Sequence, residues 1–141
     1  MQQLIEFVGN HYILSSIWVA LALLFIYSLV SSKLSPVKEL GTLEMTMLMN
    51  KQDAVVLDIR PQPDFRKGHI LGARQLVAEK LAKGDFSDLE KQKDKPIIVV
   101  CAMGATAKRT ATQLLKAGFS QVYVLKGGMN AWTSASLPVA K

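Results

Sequence analysis

Hydrophobic and polar positions alternate along this chain in two different regimes. The first is a single block: Tyr12–Val30 (YILSSIWVALALLFIYSLV) runs for nineteen residues without a charge. It has no polar face, and as a helix it would be about 28 Å long, close to the hydrocarbon thickness of a bilayer. Tyr12 and Tyr27 lie near its two ends, where aromatic anchors sit at the membrane interface, with Trp18 deeper. A domain of the size left over could hardly surround such a helix on all sides. The sharper rival is a cleaved signal sequence, for which Val30 and Ser32 form a weak cleavage site, but no Lys or Arg precedes the apolar block. The pattern predicts a short tail over 1–11 and a retained membrane helix over 12–30, then a linker over 31–40 (SSKLSPVKEL) in which Pro36 interrupts any continuing helix.

From Thr42 the second regime begins, with short apolar runs between segments of helical spacing. Leu43, Met47 and Leu48 predict a helix over 42–50, and AVVLDI a strand over 54–59 whose unbroken apolar character suits a buried parallel position. Pro61 and Pro63 predict a turn leading to Gly68-His69-Ile70-Leu71-Gly72-Ala73. A short strand is expected over 73–77, two small helices within 79–91 broken near Gly84, and a charged loop over 91–95. Ile97–Val100 (IIVV) carries the strongest strand signal. Ala107, Ala111, Leu114 and Leu115 mark one helical face over 107–117, which Gly118 stops. A last strand over 122–125, a turn at Gly127-Gly128 and a short helix over 129–134 complete the chain before Pro138. Strands alternating with helices define an α/β domain with a mostly parallel sheet covered on both faces.

Charge adds a direction. The net charge is +6, and all seventeen Lys and Arg lie at or after Lys33, whereas Glu6 alone is charged before it. By the positive-inside tendency the domain faces the cytoplasm and the tail lies outside, on the inner membrane in a bacterium. Lys33, Lys38 and Lys51 are placed to meet anionic headgroups, although a solvated linker explains them as well. One cysteine excludes an internal disulfide, leaves no resolving thiol and fits a reducing compartment. With two histidines at unrelated spacings it does not make a metal set. No cofactor, metal or nucleic-acid partner is expected.

That cysteine, Cys101, sits where the strongest strand ends. Ligands of parallel α/β sheets bind beyond the carboxyl ends of the strands. A thiolate, not a thiol, is the sulfur nucleophile, and the sequence supplies help in losing the proton without a neighbouring histidine. The loop 102–106 contains Gly104 and small side chains, so its backbone N–H groups can turn inward as an anion-binding nest. The helix opening near Thr106, with that residue as its N-cap, adds unpaired N–H groups and a positive dipole end. Most free cysteines are inert small hydrophobes, but the position before a glycine-containing loop favours a reactive thiol. For His69, flanked by glycine turns, a structural hydrogen bond is the better reading than a Cys–His pair.

Three motifs in register then identify a resemblance. Leu57-Asp58-Ile59-Arg60 leads to Phe65 and Gly68-His69-Ile70-x-Gly72-Ala73; Cys101-x-x-Gly104-x-Thr106 follows; Leu125-x-Gly127-Gly128-x-x-x-Trp132 closes the series. Together they resemble a single-domain rhodanese, a sulfurtransferase, over 41–139. The resemblance implies a three-layer sandwich with a mainly parallel five-stranded sheet, preceded here by one transmembrane helix. It implies Cys101 as the catalytic nucleophile that carries a persulfide. The substrate-binding loop would be Ala102, Met103, Gly104, Ala105, Thr106 and Ala107. Expected partners are a sulfane-sulfur donor, an external thiol acceptor and the lipid bilayer, with a membrane-protein partner if the domain serves instead as a catalytically weak docking module. A redox sensor is a more distant alternative.

Departures from the family pattern shape the expectation. The loop has no Lys or Arg, and Thr106 stands where an arginine often sits, so dianionic thiosulfate should bind modestly unless Lys108 or Arg109 reaches the rim. Met103 makes the mouth apolar. The related phosphatases place Arg six residues after Cys, where this chain has Ala107, so nothing in the loop can clamp a phosphoryl group bidentately. Leu71 and Val77 replace common prolines. An Arg60–Asp64 ion pair, the Gly68 and Gly72 turns and a Gly127-Gly128 turn that lets Trp132 pack back are expected to be structural.

Overall fold

The computed structural model describes residues 1–33 and 37–141. The chain divides into two compact units, Met1–Ser35 and Pro36–Lys141.

In the first unit the long apolar block forms α2 (Tyr12–Lys33). No residue of its nineteen-residue apolar window is buried. The tail ahead of it is not irregular: Gln2–Asn10 forms a separate helix, α1, which ends at His11. Only nine residues carry its periodicity, too few for the spacing to stand out beside the long block that follows.

The second unit follows the order β1 (Lys38–Leu40), α3 (Thr42–Gln52), β2 (Val55–Asp58), α4 (Gln62–Lys67), β3 (Arg74–Gln75), α5 (Ala78–Lys83), a 3-10 helix (Ser87–Gln92), β4 (Ile97–Val100), α6 (Ala105–Lys116), β5 (Val122–Leu125) and α7 (Gly128–Ser134). The sheet has five strands in the order β1-β5-β4-β2-β3, and every pairing is parallel. It is the three-layer α/β sandwich that the alternation of elements requires.

Successive residues of a strand point to opposite faces, and both faces are covered here. Ile97 and Val99 of β4, with Cys101 just beyond, join Leu57, Phe86, Leu89, Ala111 and Leu114 in one core, on the side of α5 and α6. Ile98 and Val100 join Met45, Val56, Ile70, Met129 and Trp132 in the other, beside α3 and α7. Double-sided burial is the reason four β-branched residues stand in a row without a polar interruption.

Three local readings are revised. The segment read as linker contains β1, which pairs with β5 and follows the buried Val37. It is short, polar and at the sheet edge, as edge strands tend to be, so no apolar alternation announces it. The two-proline turn is a helix, α4, because Pro61 caps it and Pro63 lies in its first turn, where a missing N–H costs nothing. The strand expected over 73–77 shrinks to Arg74–Gln75.

Candidate active site

Cys101 is the first residue beyond β4, and its side chain is 6% exposed. Gly104 adopts φ +98, a left-handed conformation that turns the chain directly into α6 at Ala105. The turn brings the Gly104 N–H to the sulfur, donating to Cys101 Sγ at 2.8 Å. Because Gly104 occupies the capping position, Thr106 is already inside the helix and exposed; its expected N-cap role is not realised. The N–H groups of Ala105 and Thr106 belong to the first helical turn, which has no intrahelical acceptors. They add to the donor-rich end of the α6 dipole beside the sulfur.

What keeps the loop N–H groups on that side is a contact from α7. The Met129 N–H donates to the Cys101 carbonyl at 2.8 Å and the Asn130 N–H to the Ala102 carbonyl at 3.1 Å. The loop carbonyls are thereby tied away from the sulfur. So close an approach of two backbones requires Gly128. A Cβ there would sit within van der Waals radii of the Cys101 carbonyl oxygen and 2.7 Å from that of Ala102. The glycine pair thus does more than turn the chain. The signal that a second backbone lies against it was the pairing of two consecutive glycines at the start of a helix.

The remaining expected loop residues fall into two groups. Ala107 is buried in the core beside Cys101 and anchors the loop from below. Ala102, Met103 and Ala105 are exposed, and Met103, at 73%, stands open at the mouth. Neither downstream cation supplies the missing charge in the loop. Lys108 pairs with Glu39 of β1, and Arg109 lines, with Thr106 and Thr110, a shallow groove of about 350 Å³ against α5. A second shallow cavity of about 360 Å³ reaches the back of the loop at Ala102, between Arg60, Lys67 and Asn130.

His69 has no part at the sulfur. Its Nδ1 lies 2.9 Å from the Phe65 carbonyl, its ring stacks on Phe65 at 3.9 Å, and its backbone pairs with Ala140. Arg60 does not pair with Asp64 as expected. Its Nε and Nη2 grip the Asp58 carboxylate at 2.7–3.1 Å, and Nη2 also donates to the Gly68 carbonyl at 2.8 Å. Asp64 pairs with Lys67 instead. The reason is desolvation: Asp58 is 1% exposed at the end of β2, and a buried carboxylate without a partner is costly. This pair staples the end of β2 to the turn before His69. Trp132 packs back as expected, 4% exposed, its Nε1–H donating to the Pro138 carbonyl at 3.0 Å. Among the described residues no group of three or more His, Cys, Asp or Glu converges as a metal site.

A three-layer parallel sandwich with a cysteine at the carboxyl end of its central strand, cradled by a glycine turn and a helix start, is a rhodanese fold. It is shared by the rhodanese-related protein of Thermoplasma volcanium, with a TM-score of 0.64 at 22% identity, covering 73% of this chain and 97% of that one. The rhodanese-like domain family matches residues 43–135, and the chain belongs to that family. It is 44% identical over 141 residues to the uncharacterized protein YibN of Escherichia coli K12, covering 100% of this chain and 99% of YibN. It is also 35% identical over 98 residues to the thiosulfate sulfurtransferase GlpE of Pseudoalteromonas translucida, covering 70% of this chain and 90% of GlpE. GlpE matches a stretch about the length of the domain alone, whereas YibN matches from end to end.

Proposed function

We propose that this protein is a membrane-anchored sulfurtransferase working through a persulfide on Cys101. The observation that carries the reading is the Gly104 N–H directed at Cys101 Sγ while α7 draws the Cys101 and Ala102 carbonyls away. A backbone N–H aimed at the sulfur, with those two carbonyls turned elsewhere, suits the terminal sulfur anion of a persulfide.

In the first half-reaction the Cys101 thiolate attacks the sulfane sulfur of a donor. A Cys–S–S⁻ bond forms, the donor's S–S bond breaks, and its electron pair leaves on sulfite if the donor is thiosulfate, or on a thiolate if it is a persulfide. In the second, an acceptor nucleophile attacks the outer sulfur and the Cys101 thiolate departs. The acceptor is external, because the chain has no second cysteine. Cyanide serves in an assay and a thiol in the cell. With Lys108 engaged by Glu39, a donor of low charge suits the loop better than dianionic thiosulfate. Phosphoryl transfer is disfavoured by Ala107, a buried methyl where a bidentate cation would be needed.

In this reading residues 12–30 hold the domain at the membrane, and the Lys and Arg distribution supports the cytoplasmic face. A docking role toward a membrane protein has its support in Met103, open at an uncharged mouth. Mass spectrometry of the detergent-solubilised protein after incubation with thiosulfate or a low-molecular-weight persulfide tests the enzyme reading. One added sulfur, absent in Cys101→Ser and removed by cyanide, is expected. An unchanged wild-type mass with both donors would overturn transfer and leave the docking role.

A further inference from the structure

The sulfur site does not account for α1. At 3.6 residues per turn its apolar side chains Leu4, Ile5, Phe7 and Val8 fall within about 160° of the helix circumference. Gln2, Gln3, Glu6 and Asn10 fill the opposite side. This is a cleanly divided helix, and among the described residues its apolar side stays open: Leu4 is 67% exposed, Ile5 70%, Phe7 56% and Val8 53%. A soluble nine-residue helix with such a face would not persist on its own propensity.

The apolar side of α1 is continuous with α2. Leu4, Phe7 and Val8 share a crevice of about 560 Å³ with Leu14, Ile17 and Trp18 of the first turns of α2. The crevice is lined almost wholly by hydrocarbon, and the bend between the two helices falls at His11. We infer that α1 is an interfacial helix. It lies in the plane of the bilayer surface with Leu4, Ile5, Phe7 and Val8 toward the acyl chains and Glu6 toward water, and the crevice at the bend is filled by lipid.

The composition fits this occupant over a protein partner. Interfacial helices bury one apolar face about 5–10 Å into the headgroup boundary and keep a polar face in water. The divided pattern of α1 meets that requirement, whereas α2, apolar all round, meets the requirement for crossing. Having no Lys or Arg, α1 binds by apolar burial, without preference for anionic lipid. Its function is to fix the depth and tilt of α2 from the N-terminal end of that helix.

The inference rests on α2 crossing the membrane, and the test separates the two. Single cysteines are placed in the full chain on a Cys101→Ser background, at Leu4, Glu6, Val8, Asn10 and, within α2, Leu21. Each is spin-labelled and reconstituted into phosphatidylethanolamine/phosphatidylglycerol vesicles, and collision with oxygen is compared with collision with a water-soluble nickel chelate. Expected are oxygen-dominated collisions at 21, 4 and 8 and nickel-dominated collisions at 6 and 10. The same profile in vesicles of neutral lipid alone is expected, since α1 carries no cation. If position 21 is lipid-exposed but 4 and 8 are as open to nickel as 6 and 10, α1 projects into water and the inference fails. Low collision with both reagents at 4 and 8, with spin–spin broadening, would place α1 against a second copy and also overturn it. Nickel access at position 21, or loss of the first thirty or so residues from the membrane-extracted protein by intact mass, would remove the membrane reading itself.

Discussion

At the scale of single residues, Gly128 and Thr106 carry the tests that bear on chemistry. Gly128 is where α7 meets the backbone of the sulfur loop, and Gly72 provides the matched control. Both have positive φ, +59 and +80, so alanine strains either position, by about 1 kcal/mol. At Gly72 the added methyl meets nothing within 4 Å, whereas at Gly128 it strikes the Cys101 and Ala102 carbonyls. Gly72→Ala should therefore lower stability modestly and leave the sulfur-transfer rate near that of the wild type. Gly128→Ala should cost about a hundredfold in rate, since displacing a catalytic group by about 1 Å has that effect. Cyanide-discharge kinetics on the two folded variants decide it, and equal rates would detach α7 from the chemistry. Thr106→Arg restores a cation to the helix start. It should lower the KM for thiosulfate about tenfold, the worth of one charge-assisted hydrogen bond, and leave the KM for a neutral persulfide donor unchanged. Cys101 and Gly104 could be read from the sequence because a strand, a cysteine and a glycine in succession already describe the turn. The contact with Gly128 could not, because it joins two segments more than twenty residues apart through backbone atoms that no side-chain pattern encodes.

At the scale of elements, burial decides which local patterns were legible. β2, β4 and β5 are covered on both faces, so their residues are apolar apart from Asp58 at the end of β2, and the sequence places them within a residue or two. β1 is held by hydrogen bonds to β5, by the Lys108–Glu39 pair and by Leu40 alone among its side chains packing on a core, so its Lys-Glu-Leu looks like a linker. Arg60 pairs with Asp58 and not with the expected Asp64 for a related reason. Sequence distance favours Asp64 in the following turn, while desolvation favours Asp58 at the buried strand end. This leads to a stability prediction. Arg60→Met leaves the Asp58 carboxylate buried and unpaired, which should destabilise the domain by about 3–5 kcal/mol and lower its melting temperature by more than about 10 °C. Adding Asp58→Asn should recover a large part of that loss, because the penalty lies in the orphaned charge and the two changes are not additive. A double variant as unstable as the sum of the two single variants would show that the pair acts through packing and not through charge.

At the scale of the molecule, the proposed function gives the two units unlike solvents. Each face of the five-stranded sheet has its own core, completed by helices that all lie after residue 36. Among the described residues, the side chains of both cores lie after residue 36. The domain should accordingly fold and carry sulfur without the first unit. Deleting residues 1–33 should move the protein from the membrane to the soluble fraction. It should also retain a cooperative thermal transition and persulfide formation on Cys101 within about twofold of the full chain in detergent, since no group near the sulfur is removed. Extraction behaviour tells how the full chain is held. Embedded α2 resists high salt and alkaline carbonate and yields only to detergent, whereas attachment through the lysines of the domain would be released by salt. Release of the full chain by salt alone would mean that its charge, not its apolar helix, holds it to the membrane, and the domain's own Lys and Arg would then have to account for localisation.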